Sequence, residues 1–292
     1  MSISGIVFQL SASVSDRRRD KKIPLPGGVT ECRNIRYGPY GKWSLLDVYY
    51  PDEAEGPLPT IVSIHGGGYV YGTKEIYRRY GMDMAARGFA FVNFNYRLAP
   101  KWKFPTPLHD TNAVLQWIVM NADRYHLDPG RLFLVGDSAG GQLASQYAAM
   151  LTNPEYMALF HLRRPDPGIQ LRAVGLNCGL YDMADVASTK RQGLELDYLG
   201  RKIANDDPRL QVMSAITPDY PPAHITTACH DFLRGAAQPM YDHLRSLGVP
   251  ARMVCYGSEE DASIGHVFHV NILKPEAIRC NDEQCDFFRQ YL

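Results

Sequence analysis

The 292 residues carry 31 lysines and arginines against 31 aspartates and glutamates, for a formal charge of zero. That balance argues against a surface built to attract a phosphate backbone, and the length admits one large α/β domain or two small ones, with a sizeable core. No window approaches the ~18 uninterrupted apolar residues of a membrane span, so neither nucleic acid nor membrane is an expected partner.

Residues 1–30 are expected to form a helical arm and a loop. The arm lacks a basic leader with a sustained apolar core, which reads as a cytoplasmic protein. Its basic cluster, Arg17-Arg18-Arg19 with Lys21-Lys22, is interrupted by Asp20 and reads as a solvated segment. Glu31 to Tyr37 and Trp43 to Tyr50 are expected as a strand pair around Gly38-Pro-Tyr-Gly41. Thr60 to Ile64 reads as a buried strand that runs into His65-Gly66-Gly67-Gly68. A helix over Tyr77–Arg87, a strand over Phe89–Phe94 and a helix from about Pro107 to Tyr125 follow.

The spacing then predicts a strand over Leu132–Val135 and, past Gly136-Asp-Ser138-Ala-Gly140, a helix carrying Leu143, Ala144, Tyr147 and Ala148. Leu171–Cys178, Ala223–Cys229 and Ala251–Tyr256 are further expected strands. Residues 183–221 read as a polar insert, a helix passes through Met240–Leu244, and Pro275–Leu292 is a closing helix. Strands alternating with helices after an opening hairpin imply a mainly parallel sheet covered on both faces. Six scattered cysteines show no C-x-x-C pair and no zinc spacing. They read as reduced, buried residues, with Cys178, Cys229 and Cys255 in apolar runs.

Strand, abrupt turn and helix make a G-x-S-x-G nucleophile elbow with Ser138 at its tip. A serine hydroxyl needs a base, and a base on a loop at the carboxyl edge of the sheet fits best. His266, after the last strand, is the candidate, and His269 competes with it. Asp231, just past its own strand, is the candidate partner for the imidazole, with a helix cap as its bland alternative. The N–H groups of Gly67, Gly68 and Ala139 are candidate oxyanion donors. His65 is expected to order the glycine loop. Tyr69 and Asp137 are candidate substrate contacts, although Tyr69, Tyr71, Tyr77 and Tyr80 read more readily as packing beneath a cap than as a pocket wall. No metal ligand set is visible, and the glycine loop lacks a Walker lysine.

With these residues placed, the chain resembles the α/β-hydrolase superfamily, in particular the hormone-sensitive-lipase-like (bacterial family IV) esterases. The likeness rests on His65-Gly-Gly-Gly-Tyr with Gly72, Tyr96-Arg-Leu-Ala-Pro with Phe104-Pro105 and Asp110, and Trp117 with Asp128-Pro-Gly-Arg131. It continues through Gly136-Asp-Ser-Ala-Gly-Gly141, Asp231-Phe-Leu-Arg and His266-Val-Phe. It implies a single α/β-hydrolase domain over 1–292, capped by elements near 1–30 and 183–221. It further implies a serine carboxylesterase acting on short-acyl esters without a cofactor, in a family whose members often form homodimers. An amidase or arylformamidase on the same groups is the alternative, and a non-catalytic binding protein a further one. Four positions depart from the family pattern: Gln142 for the usual Asn, Gly235-Ala236 for acids, and Val267 where glycine is common.

Overall fold

A computed structural model describes residues 1–183 and 191–292. The strands are β1 (Val29–Arg36), β2 (Leu45–Pro51), β3 (Leu58–Ile64), β4 (Ala90–Phe94), β5 (Leu127–Asp137), β6 (Leu171–Asn177), β7 (Ala223–Ala228) and β8 (Ala251–Tyr256). They form one eight-stranded sheet in the order β1-β2-β4-β3-β5-β6-β7-β8. The pairs β1/β2 and β2/β4 are antiparallel and the rest are parallel. This is the α/β-hydrolase architecture expected from the sequence.

The described helices in chain order are α1 (Ile3–Asp20), α2 (Arg78–Ala85), α3 (Thr106–Asn121), α4 (Ala139–Thr152), α5 (Pro154–Ala158), α6 (Gly193–Leu199), α7 (Val212–Ala215), α8 (Ala237–Ser246) and α9 (Pro275–Arg289). Alternation along β5 sends Leu132 and Leu134 to one face, where α3, α4 and α8 pack with Val114, Leu143 and Met240. Phe133 and Val135 go to the other face, against Met84 of α2 and Phe288 of α9. Both faces are therefore dry, which is why β5 reads as a continuous apolar run. Part of the 183–221 insert, residues 184–190, lies outside the described residues; the remainder holds α6, α7 and no strand.

One reading from composition is corrected here. Cys178, Cys280 and Cys285 are buried, but Cys255 is exposed, and Cys229 and Cys32 (on β1, the other edge strand) are only half-buried. The reason is position in the sheet. β8 is an edge strand, so one side of it faces water despite its apolar sequence. The Sγ atoms of Cys229 and Cys255 lie 3.8 Å apart on that rim. Among the described residues no helix is long and apolar enough to cross a membrane.

Candidate active site

The carboxyl ends of β3, β5, β6, β7 and β8 bring the glycine loop, Ser138, Cys178, Asp231 and His266 to one edge of the sheet, where open α/β sheets place their sites. Ser138 has φ +54°, a conformation a side chain adopts only under constraint. Its N–H donates to the carbonyl of Asn177 at the end of β6, 3.0 Å away. Room for the bend comes from the two glycines, each in a different way. A Cβ on Gly136 would strike the Gly140 carbonyl, whereas a Cβ on Gly140 would strike the carbonyls of Ile64 and His65 on the neighbouring strand end. The second glycine thus answers to β3, not to its partner within the motif.

Ser138 Oγ lies 2.9 Å from His266 Nε2, and His266 Nδ1 lies 2.6 Å from Asp231 Oδ1. A single parallel bridge between His230 and Gly265 aligns the two loops and sets the next residue of each side by side. Asp231 is further held by the Leu233 N–H on Oδ1 and the Thr227 hydroxyl on Oδ2, both at 2.9 Å. Burial works against its charge, yet the His266 hydrogen bond, the imidazole's field and these donors together hold its carboxyl below the usual range. Phe232 lies against the imidazole with ring centroids 4.1 Å apart.

The competing histidines are elsewhere. His269 is buried under Tyr80, and burial with the nearby His266 lowers its pKa to about 3. His65 is stacked on Tyr96 at 4.1 Å, its Nδ1 is 2.7 Å from the Gly66 carbonyl, and burial lowers its pKa to about 4. It fixes the start of the glycine loop. Gly67 and Gly68 have φ of +115° and +56°. Among the described residues neither N–H is taken by another protein group. The loop that follows is pinned by a buried ion pair, Lys74 Nζ to Asp47 of β2 at 2.8 Å. Arg97, from the Tyr96-Arg-Leu-Ala-Pro run, ties the next loop to α3 through Asp110 at 2.7 Å.

Two cavities meet at Ser138 and His266. One, of about 410 Å³, runs between α1 and the 262–274 loop and is lined by polar groups including Ser15, Asp16, Arg19, Asn271 and Lys274. The other, of about 140 Å³, is walled by Tyr69, Leu180, Leu194, Tyr198 and Phe232. Tyr69 lies in this smaller wall, stacked on Tyr198 at 3.8 Å, with its hydroxyl 3.2 Å from Gln142 Oε1. Gln142 Nε2 donates to Gln146 Oε1, and Gln146 Nε2 in turn reaches the Tyr156 hydroxyl and the Arg209 carbonyl of the insert. Tyr71 borders the larger cavity, and Tyr80 is core.

Asp137 also borders the larger cavity, but its carboxylate accepts from the Tyr77 hydroxyl at 2.7 Å, and burial raises its pKa to about 7. Cys178 Sγ lies within 4.8 Å of ligand atoms of Asp231 and His266. Burial, with the nearby Asp231 charge, pushes this thiol's pKa well above its usual value.

The residues that sequence reasoning missed come from afar. Phe8 of α1 and Leu194 of α6 both face Gly68, where a Cβ would come within 2.7 Å of Leu194. No local signal marks either. Thr227 carried one signal, as a hydroxyl at the strand end four residues before Asp231.

The chain matches the BD-FAE family over residues 46–235. It is 34% identical to arylacetamide deacetylase of Bos taurus over 134 residues, covering 43% of this chain and 30% of that protein. It is 29% identical to ethyl acetate hydrolase of Pseudomonas putida over 191 residues, covering 59% and 60%. These matches span less than two thirds of the curated relatives' own length. Among solved structures, esterase B from Lactobacillus rhamnosis inhibited by a tributyrin phosphonate superposes with a TM-score of 0.90 at 25% identity, covering 98% of this chain and 94% of that one.

Proposed function

The chain belongs to the BD-FAE family of hormone-sensitive-lipase-like α/β-hydrolases, and from that premise we propose that it is a serine carboxylesterase acting on short-acyl esters. The observation that carries the proposal is the unbroken hydrogen-bonded series from Ser138 Oγ through His266 to Asp231 at the junction of two cavities. Ser138 Oγ attacks the ester carbonyl while His266 Nε2 takes its proton. Asp231 holds Nδ1–H and offsets the imidazolium charge. The carbonyl oxygen becomes an oxyanion facing the N–H groups of Gly67, Gly68 and Ala139. His266 then returns the proton to the leaving alkoxide, freeing the alcohol and leaving Ser138 acylated. Water, deprotonated by the same nitrogen, releases the acid and restores the hydroxyl.

The smaller, aromatic-walled cavity suits a short acyl chain, and the larger polar one suits the alcohol portion. Tyr69 serves as acyl-pocket wall. Asp137 acts on the elbow through Tyr77 and, at most, at the edge of the alcohol site. The ethyl acetate hydrolase likeness and the tributyrin phosphonate on esterase B support short acyl groups. The arylacetamide deacetylase likeness favours one second reading, cleavage of an aryl amide by the same groups. The chain is read as working without a cofactor and in the cytoplasm; a homodimer rests on the family resemblance alone.

A fluorophosphonate probe is expected to label Ser138 and to leave Ser138→Ala unlabelled, with turnover of p-nitrophenyl acetate reduced by ~10⁶, the scale of serine loss in subtilisin. Specificity is expected to peak at two to four acyl carbons. An active Ser138→Ala variant would overturn the chemistry. Rates that climb with long chains would overturn the pocket assignment, and a matched aryl amide cleaved faster than its ester would favour the second reading.

A further inference from the structure

Helix α1 has two unlike faces. The inner one is committed: Phe8, Ala12, Asp16 and Arg19 line the larger cavity, and Gln9 Nε2 donates to the Val70 carbonyl at 2.6 Å. Ser2, at its N-cap, fastens the helix to α6 by its N–H and hydroxyl, which donate to Asp197 at 2.9 and 2.7 Å. The outer face carries Ile3, Ile6, Val7, Leu10 and Val14, with exposures from 46% to 83%. Their spacing of three and four residues puts them in one line along the helix. A helix laid on a globular domain ordinarily turns such a line inward. Here it faces out, and a contiguous exposed apolar strip marks a contact surface.

The same line continues into Arg17, Arg18 and Lys21, all exposed, and Lys22 is exposed beside them. The two acids nearby, Asp16 and Asp20, are turned away and engaged by Arg19 at 2.9 and 2.8 Å. The strip is therefore apolar along most of its length and cationic at one end, with no acid in the line. A second copy of the chain fits this poorly. Two such helices side by side in parallel would bring their basic ends together, and an antiparallel pair would set each basic end against bare aliphatic side chains. An anionic lipid surface meets both parts at once, with acyl chains for the aliphatic residues and headgroup phosphates for the bases.

We propose that α1 is an interfacial helix that docks the protein onto an anionic lipid bilayer. Docking by this face needs no membrane span. It sets the wall of the larger cavity, formed by the helix's other side, directly behind the lipid contact. The proposal is independent of the hydrolytic reading, because its test measures binding and not turnover.

The test is co-flotation of the full chain with vesicles of phosphatidylcholine alone or mixed with phosphatidylglycerol. Flotation with the anionic vesicles is expected, with far less on the neutral ones and a loss as salt is raised. Val7→Ser with Leu10→Ser, and separately Arg17→Glu with Arg18→Glu, are expected to lower partitioning by about tenfold or more, the latter at roughly 1 kcal/mol per basic residue near the surface. All four positions are exposed, and an unchanged thermal unfolding profile will confirm that the variants fold. Three results would each overturn the proposal: wild-type protein that stays with the soluble fraction, variants that float as well as wild type, or a dimer that fails to float and becomes monomeric when Val7 and Leu10 are replaced.

Discussion

Asp137 precedes Ser138 in the elbow and is 2% exposed, and burial raises its pKa from 3.8 to about 7. The Tyr77 hydroxyl, the Gly66 N–H and the charge of His266 pull the other way, and Asp16 adds to the rise. The consequence for stability follows from proton counting. Folded Asp137 holds its proton up to about pH 7, whereas the unfolded residue gives it up near 3.8, so between those values the folded state carries more protons. Wild-type stability therefore falls as pH rises through that window, and the deficit is complete above it. A gap of about 3 units at ~1.36 kcal/mol each sets the deficit at up to ~4 kcal/mol. Asp137→Asn keeps the shape and an acceptor for Tyr77 but never carries charge. At about pH 8.5 the variant is expected to exceed wild type by ~2–4 kcal/mol in urea unfolding, and to match it near pH 4. A difference that does not change with pH, or a wild type more stable at alkaline pH, would refute the argument that the elbow confines a carboxylate against its solvation.

Two further outcomes follow from the site. Asp231→Asn retains the Leu233 and Thr227 contacts but removes the charge beside His266, so turnover is expected to drop by ~10⁴, the scale seen for that change in a serine protease; a variant keeping more than a tenth of wild-type kcat would contradict it. Val267 has φ +59°, where a β-branched side chain is strained by ~1–2 kcal/mol. Val267→Gly is expected to be at least as stable as Val267→Ala in urea unfolding, the reverse of the usual order, and an alanine variant more stable by ~0.5 kcal/mol or above would show that the backbone there is not strained.

Much of the fold was legible because both faces of the sheet are covered. Doubly buried strands such as Leu132–Val135 become plain apolar runs, and the turns between them are marked by glycine and proline. The elbow was legible for a steric reason, since Gly136 and Gly140 stand where carbonyls leave no room for a side chain. The family's preference for glycine at 267 also has a visible cause in the left-handed backbone there. What stayed hidden depends on distance in the chain. Nothing near Gly68 announces that Phe8 and Leu194 will face it, and nothing near Gln146 announces a partner at Arg209. Cys255 was misread because an edge strand and an inner strand share the same composition, and only the order of strands tells them apart.

That edge position has a practical side. The thiols at 229 and 255 stand at the rim while those at 178, 280 and 285 are enclosed, and Cys32 is half-covered near the Tyr50 hydroxyl. An alkylating reagent added to the native protein reports on the thiols at 255, 229 and 32, and the enclosed three become countable only as molecules open. The cysteines thus supply a built-in gauge of unfolding that requires no engineered residue, and one arm of that gauge sits two residues from the carboxylate that steadies His266.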